Sequence, residues 1–600
     1  MIFKNERLSN TLYLRTMSVS GKAFDFKLLK RVLQAVRPQR RLLIAAVSIT
    51  IFLAFLSPVR PLLVQYTIDT FVLGQSTGNL VAYALIMISV LLVEAIGQFS
   101  SGYVSNLLGQ SVIRDLRTKV YNHVLSLNVK YFDRNPIGML ITRVVSDIET
   151  IASVFTEGIV IVFGDLFQLS VVLFVMFYTD WQLSLISIST IPLLLIATNI
   201  FKNGIKSAFQ DVRNQVARLN TFVQEHISGM SVIQVFSREE EELKKFKVIN
   251  REHAAAHIRS VWHYSIFLPI VEILSAVSLG LLIWLGSDGV MDGRFTVGNL
   301  IAFTMYVNML FRPIRTLADR FNTLQMGMVS SERVFKLLDE RDALEPESGK
   351  HIPTVLHGDI AFQHVWMAYK EEDWVLRDLS FSVQRGTTVA IVGATGSGKT
   401  TIINLVNRFY EYQKGEILLD GLPLSDYDIA FLRSEIAVVL QDVFLFSDSI
   451  ANNISLNNPQ ITQEMIEQAA REVGADEFIR KLPGGYAFNV MERGSMLSAG
   501  QRQLIAFIRA YLYNPAILVL DEATSSVDAE TEELIRIATE KLTRNRTSVI
   551  IAHRLATVQK ADQILVMENG QVLESGNHQE LLAKNGKYRK LYELQFAAEA

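Results

Sequence analysis

An all-α polytopic membrane domain followed by an α/β domain is the fold class this sequence predicts, on three observations. Apolar runs long enough to cross a bilayer recur before residue 320, hydropathy falls after Ala318, and from Gly358 onward short apolar strands alternate with helices around a glycine-rich turn. Six hundred residues are too many for one domain, and 50% hydrophobic residues is high for a soluble chain. The formal net charge of -2 says nothing about nucleic acid, and no long single-sign tract appears. With no cysteine, the chain has no disulfide, no thiolate metal site and no cysteine nucleophile.

The first half is justified run by run. Stretches near 42–64, 79–101, 154–179, 182–201, 265–286 and 297–311 approach the roughly 20 apolar residues a membrane helix needs. The last is short and is extended by Phe295–Leu300. Pro58, Pro61 and Pro313 interrupt these runs, which helices in lipid tolerate. The first 41 residues hold ten Lys and Arg against only Glu6 and Asp25, which keeps the N-terminus in the cytoplasm. A forty-residue charged lead without a small-residue cleavage site does not fit a signal peptide. Phe26, Leu29, Leu33 and Val36 recur at helical spacing among basic residues, the pattern of an amphipathic helix on the inner membrane surface.

Connections around 70–79, 179–180 and 287–294 are short, whereas 102–153 and 202–264 are long, charged and helix-patterned. Each long connection reads as two helical extensions joined by a bend. The bends fall at YFDRNPIG (131–138), with its Asn-Pro and Gly, and at NTFVQEHISGM (220–230). Arg60, Glu94, Asp165 and Glu272 fall inside the apolar runs, where a charge is costly enough to make each a candidate substrate contact.

The second half carries the chemistry. GATGSGKT at 393–400 matches the phosphate-loop pattern between a strand and a helix. Gly393, Ala394, Thr395, Gly396, Ser397 and Gly398 wrap phosphates with backbone N–H groups. Lys399 neutralises their charge, the Thr400 hydroxyl ligates Mg²⁺, and Thr401 follows on the helix. About 120 residues later an apolar strand delivers Asp521, a second Mg²⁺ ligand, and Glu522, placed to orient or deprotonate a water.

The order of GATGSGKT, Gln441 in VVLQDVFLF, LSAGQ, LVLDEATSSVD and IAHRL with His553 resembles the ATP-binding cassette (ABC) ATPases. The fused six-helix domain, with YFDRNPIGMLITRVVSD and the turn at 179–180, is similar to half-size ABC exporters of drugs, lipids or peptides, and the likeness covers about residues 25–595. It implies a cytoplasmic N-terminus with an elbow helix at 1–41, a membrane domain at 42–335, a linker at 336–357 and a nucleotide domain at 358–600. It further implies ATP and Mg²⁺ as cofactors, Tyr369 stacking on adenine, and Gln441 linking Mg²⁺ and water to the membrane-domain contact. His553 would hold the γ-phosphate, residues 492–494 would sense the coupling loops, and 525–528 would cross to the opposite ATP site. Ser498, Gly500 and Gln501 would meet ATP bound to a second chain, so the partner is a second half-transporter, identical or not, in a plasma or inner membrane. Two positions depart from the family pattern: Ala499 stands where Gly is commonest and Leu504 where Arg is frequent.

The expected function is export of a small amphipathic substrate by alternating access, the alternative being an ABC-derived channel or regulator. A DNA-repair ATPase is opposed by the six apolar runs and by the lack of a basic nucleic-acid stripe, an importer ordinarily keeps its ATPase on a separate chain, and a peptidase-bearing exporter needs a cysteine.

Overall fold

The computed structural model describes residues 26–74, 79–341, 348–370, 372–521, 529–552 and 554–595. Among these the chain divides into two compact units. One contains the helices up to Ser126 and from Asn135 to 341, the other Leu127–Arg134 and the residues from 348 on.

The first unit is helical throughout. It opens with Phe26–Ala35, where Val32 and, just past the helix end, Val36 are buried while Leu33 stays 40% exposed. The helix therefore packs on one side and leaves Leu33 available to lipid. Arg31 fastens it to the end of the unit's last helix: its guanidinium donates two bonds to the Asp339 carboxylate, at 2.7 and 2.8 Å, and lies 4.5 Å from the Phe335 ring centre.

Among the described residues, five helical stretches are long and apolar enough to cross a membrane: Arg37–Val72, Leu80–Leu125, Ile137–Thr179, Trp181–Ser228 and Glu239–Met291. Val297–Leu338 forms a sixth long helix whose apolar part is the short 297–311 run. The most apolar window of Leu80–Leu125 is 0% buried, and Phe52, Phe99, Phe174 and Trp284 are exposed. Such surface is unfavourable in water and suited to acyl chains. Inward, Phe201 and Phe267 stack at 4.1 Å within a core that includes Val172, Leu282, Phe303 and Tyr306.

The breaks in these helices have local causes. Asp180 caps Trp181–Ile188 by accepting from the N–H groups of Gln182 and Leu183, both at 2.9 Å, which makes the tight turn the sequence predicts. Pro136, extended at ψ 133, separates Val129–Arg134 from Ile137–Val144. The second bend falls at Gly229 and leads into the short helix Met230–Val235, on which Met230, Val232 and Val235 are exposed.

The second unit contains ten strands: β1 Ile360–Ala368, β2 Trp374–Val383, β3 Thr388–Gly393, β4 Lys414–Leu419, β5 Leu422–Pro423, β6 Ile436–Val439, β7 Ile517–Asp521, β8 Thr547–Ile551, β9 Gln563–Glu568 and β10 Gln571–Gly576. They form a four-stranded antiparallel sheet, β2-β1-β4-β5, and a six-stranded sheet, β10-β9-β3-β8-β7-β6, parallel except at β10. The central strands are buried on both faces, as near-continuous apolar runs require. Val389 and Ile391 enter one core with Val519 and Val549, while Ala390 and Val392 enter the other with Leu518 and Ile550.

Candidate nucleotide-binding site

Parallel pairing brings the chemistry to one edge. Ile391 is level with Ile551, Ile551 with Asp521, and Leu520 with Val439. The phosphate loop, Asp521 and Gln441, two residues past β6, therefore all follow the carboxyl ends of neighbouring strands, where ligands of parallel α/β sheets bind.

The phosphate loop leaves β3 and turns into the helix Lys399–Val406. Gly396 (φ +83) and Gly398 (φ +99) adopt left-handed conformations, and a Cβ on Gly398 would lie 2.7 Å from Leu376 Cδ2. Glycine at 398 is thus required twice over. Lys399, 8% exposed, turns its ammonium back into the loop, donating to the carbonyls of Gly393 (2.7 Å) and Ala394 (3.0 Å). Burial pushes its pKa down from the ordinary lysine value, and the nearby Asp521 charge pulls the other way. The buried Ser397 hydroxyl has no hydrogen-bond partner among the described residues. Ala394, Thr395, Gly396 and Thr400 face outward. An unsatisfied hydroxyl, a partly desolvated cation and an outward glycine-rich arc suit a polyphosphate. Thr400, exposed at the end of the phosphate loop, and the buried Asp521, at the end of β7, supply the hydroxyl and carboxylate oxygens that suit Mg²⁺.

Tyr369 is half-buried after β1 and joins the helix that follows the loop. Its hydroxyl is 3.1 Å from Thr401 Oγ1 and accepts from Asn404 Nδ2 at 3.1 Å. Its ring meets that of Tyr410 edge-on, centroids 4.8 Å apart at 85°. Sequence reasoning singled out Tyr369 but missed Asn404 and Tyr410. The only signal for them was their spacing, five and eleven residues past Lys399.

The signature segment has a different construction. Ser498 N-caps the helix Ala499–Leu512 in a capping box: its hydroxyl accepts from Gln501 N at 3.2 Å, and Gln501 Oε1 accepts from Ser498 N at 3.0 Å. Both side chains therefore act within their own helix terminus, and Ser498 and Ala499 are exposed while Gly500 is buried. Leu504 is 1% exposed among core residues that include Ile505 and Leu518, so an apolar side chain occupies the position where Arg is frequent. Just upstream, Met491, Arg493 and Gly494 all have positive φ, a kink at 492–494.

Glu522, residues 525–528 and His553 lie outside the described residues. Gln441 is exposed. The four membrane candidates stand on four different helices. Glu94 accepts from Gln98 of its own helix at 3.2 Å, Arg60 and Asp165 are half-buried, and Glu272 is exposed.

Two family profiles match the chain: "ABC transporter transmembrane region" over residues 43–314 and "ABC transporter" over 376–525. An uncharacterised ABC transporter ATP-binding protein of Bacillus subtilis, YknV, is 37% identical over 99% of this chain and 99% of its own length. A probable multidrug resistance ABC transporter ATP-binding/permease protein of the same organism, YheH, is 36% identical over 83% of this chain and 74% of its own. The ATP-dependent lipid A-core flippase of Syntrophus aciditrophicus is 33% identical over 94% of each chain. A half-transporter of this kind is embedded in the membrane, binds nucleotide and acts as a dimer. The chain belongs to the ABC transporter family, as a member that fuses a membrane-spanning region to the ATPase that drives its transport.

Proposed function

We propose that this chain is one half of an exporter that moves an amphipathic or hydrophobic substrate, a drug, lipid or peptide, out of the cell by alternating access. The observation that carries the reading is the fusion, in one chain, of lipid-suited helices to a phosphate loop whose Lys399, Ser397 and Thr400 are arranged for a polyphosphate. The multidrug and lipid-flippase relatives support the substrate class. The basic N-terminus supports a plasma or inner membrane with the ATPase in the cytoplasm.

In this reading Lys399 exchanges the carbonyls of Gly393 and Ala394 for phosphate oxygens, Tyr369 carries adenine, and Thr400, Gln441 and Asp521 hold the metal. Bound Mg²⁺ supplies charge neutralisation as the γ-phosphoryl group leaves. Glu522 takes the proton of the attacking water, and His553 holds the γ-phosphate in place. Ser498, Gly500 and Gln501 form the second wall of the site on the opposite chain, Gly500 and the exposed helix start approaching the γ-phosphate through backbone N–H groups. ATP then stabilises the closed dimer because only there does it touch both chains. The exposed apolar tip at Met230, Val232 and Val235 and the exposed Phe444, Phe446 and Met496 of the ATPase unit are surfaces that a dimer would cover.

Glu522→Gln in the full chain is expected to bind ATP normally, hydrolyse it at least ~100-fold more slowly and accumulate as an ATP-bound dimer. Undiminished turnover would overturn the assignment. Substrate-stimulated ATPase in proteoliposomes, compared across lipids, cationic dyes and apolar peptides, tests the substrate class. Stimulation by none of them would remove it.

A further inference from the structure

Leu127–Arg134, the first loop tip, groups with the ATPase unit rather than with the long helices on either side of it in the chain. Two adjacent residues of the tip bond to that unit. Asp133 Oδ2 accepts from the Tyr410 hydroxyl at 2.5 Å, and Arg134 Nη2 donates to the Tyr369 carbonyl at 2.6 Å. Tyr410 is 9% exposed whereas Asp133 is exposed, so the bond is charge-assisted, with the phenol shielded from water and the carboxylate open to it. Burial, and after it the bond to Asp133, holds the phenol well above its ordinary pKa, so it remains a donor.

Inward the contacts continue without a gap. The Tyr410 ring abuts the Tyr369 ring, and the Tyr369 hydroxyl is held by Thr401 and Asn404, on the helix that begins at Lys399. Aromatic rings are rigid plates with two rotatable bonds, so displacing Tyr369 at one edge displaces Tyr410. A tyrosine that merely filled space would need no hydroxyl facing the loop tip.

We propose that Tyr410 is a positioning residue that reports the state of the nucleotide site to the first loop tip, through its bond to Asp133 and its ring contact with Tyr369. The proposal rests on the reading above in which Tyr369 carries adenine and ATP drives the cycle. When adenine settles on Tyr369 and phosphates engage the loop, the two rings shift together and the tip shifts with Asp133.

The absence of native cysteine permits a single label, so a Lys130→Cys variant of the full chain in lipid nanodiscs, carrying a bimane at the tip, reads tip movement on addition of MgATP. ATP affinity is measured in parallel from quenching by trinitrophenyl-ATP and its displacement by ATP. Tyr410→Phe keeps the ring and removes the hydroxyl. Its ATP affinity is expected to stay within about twofold, while the bimane response falls about tenfold, the scale of one charge-assisted hydrogen bond. Asp133→Asn keeps an acceptor oxygen and should retain the response, whereas Asp133→Leu should lose it as Tyr410→Phe does. Equal responses in Tyr410→Phe and the parent would overturn the relay, as would a parent tip that does not respond to MgATP. Failure to bind ATP at all would instead overturn the underlying reading.

Discussion

The two regions of the ATPase unit that the proposed reading directs at phosphate are finished to different degrees. At 393–400 the protein leaves chemistry open: a buried hydroxyl at Ser397 has no partner among the described residues, and the Lys399 ammonium rests on backbone carbonyls. At 498–501 the side chains are already engaged, Ser498 and Gln501 each accepting from the other's backbone N–H. The first region is organised to gain bonds when a ligand arrives. The second is organised to hold a helix terminus rigid and present what remains, its backbone and its shape. The site proposed to be shared between chains would benefit from that division, because a rigid wall costs little ordering entropy when two surfaces meet.

The contrast can be broken or sharpened by substitution. The largest effect is expected from Lys399→Ala, which should weaken ATP binding by about 10- to 100-fold, the scale of a hydrogen-bonded charge, as measured by nucleotide displacement. Gly398→Ala comes next. Its φ of +99 and the 2.7 Å approach to Leu376 Cδ2 predict a loss of about 1–2 kcal/mol and a lower thermal midpoint for the full chain without nucleotide. Ser498→Ala removes the cap and should cost about 1 kcal/mol, roughly 2–4 °C for a unit of this size. Ser397→Ala is the same chemical change with the smallest expected effect: removing a buried hydroxyl without a partner should move stability by less than about 0.5 kcal/mol, or raise it. Equal destabilisation by the two serine substitutions would erase the distinction between the regions.

Legibility in the sequence followed the same division. The phosphate loop was readable because its chemistry dictates residue types at fixed spacing, and residues 393–401 fall in a strand, turn and helix as that spacing predicts. The signature was readable as a helix start at Ser498. Its internal use of Gln501 was signalled only by the Ser-x-x-Gln spacing of a capping box, and that same amide also reads as pointing outward. At the amphipathic helix, periodicity found Leu33 and Val36 but not Val32, because the buried side of so short a helix is set by its neighbours. The bonds of Asp133 to Tyr410 and Arg134 to Tyr369 join positions 277 and 235 residues apart, and no local pattern encodes such pairings.

The clasp between Arg31 and Asp339 spans 308 residues of chain. A ribosome adding about 5–20 residues per second takes roughly 15–60 s between those two codons. Through that interval the amphipathic helix must wait at the membrane surface without its partner, held by lipid contact alone. The clasp is therefore a late event in biogenesis: it closes only on a chain whose long helices have already been made, and a nascent chain stalled before Asp339 would carry an unfastened N-terminal helix for quality control to recognise.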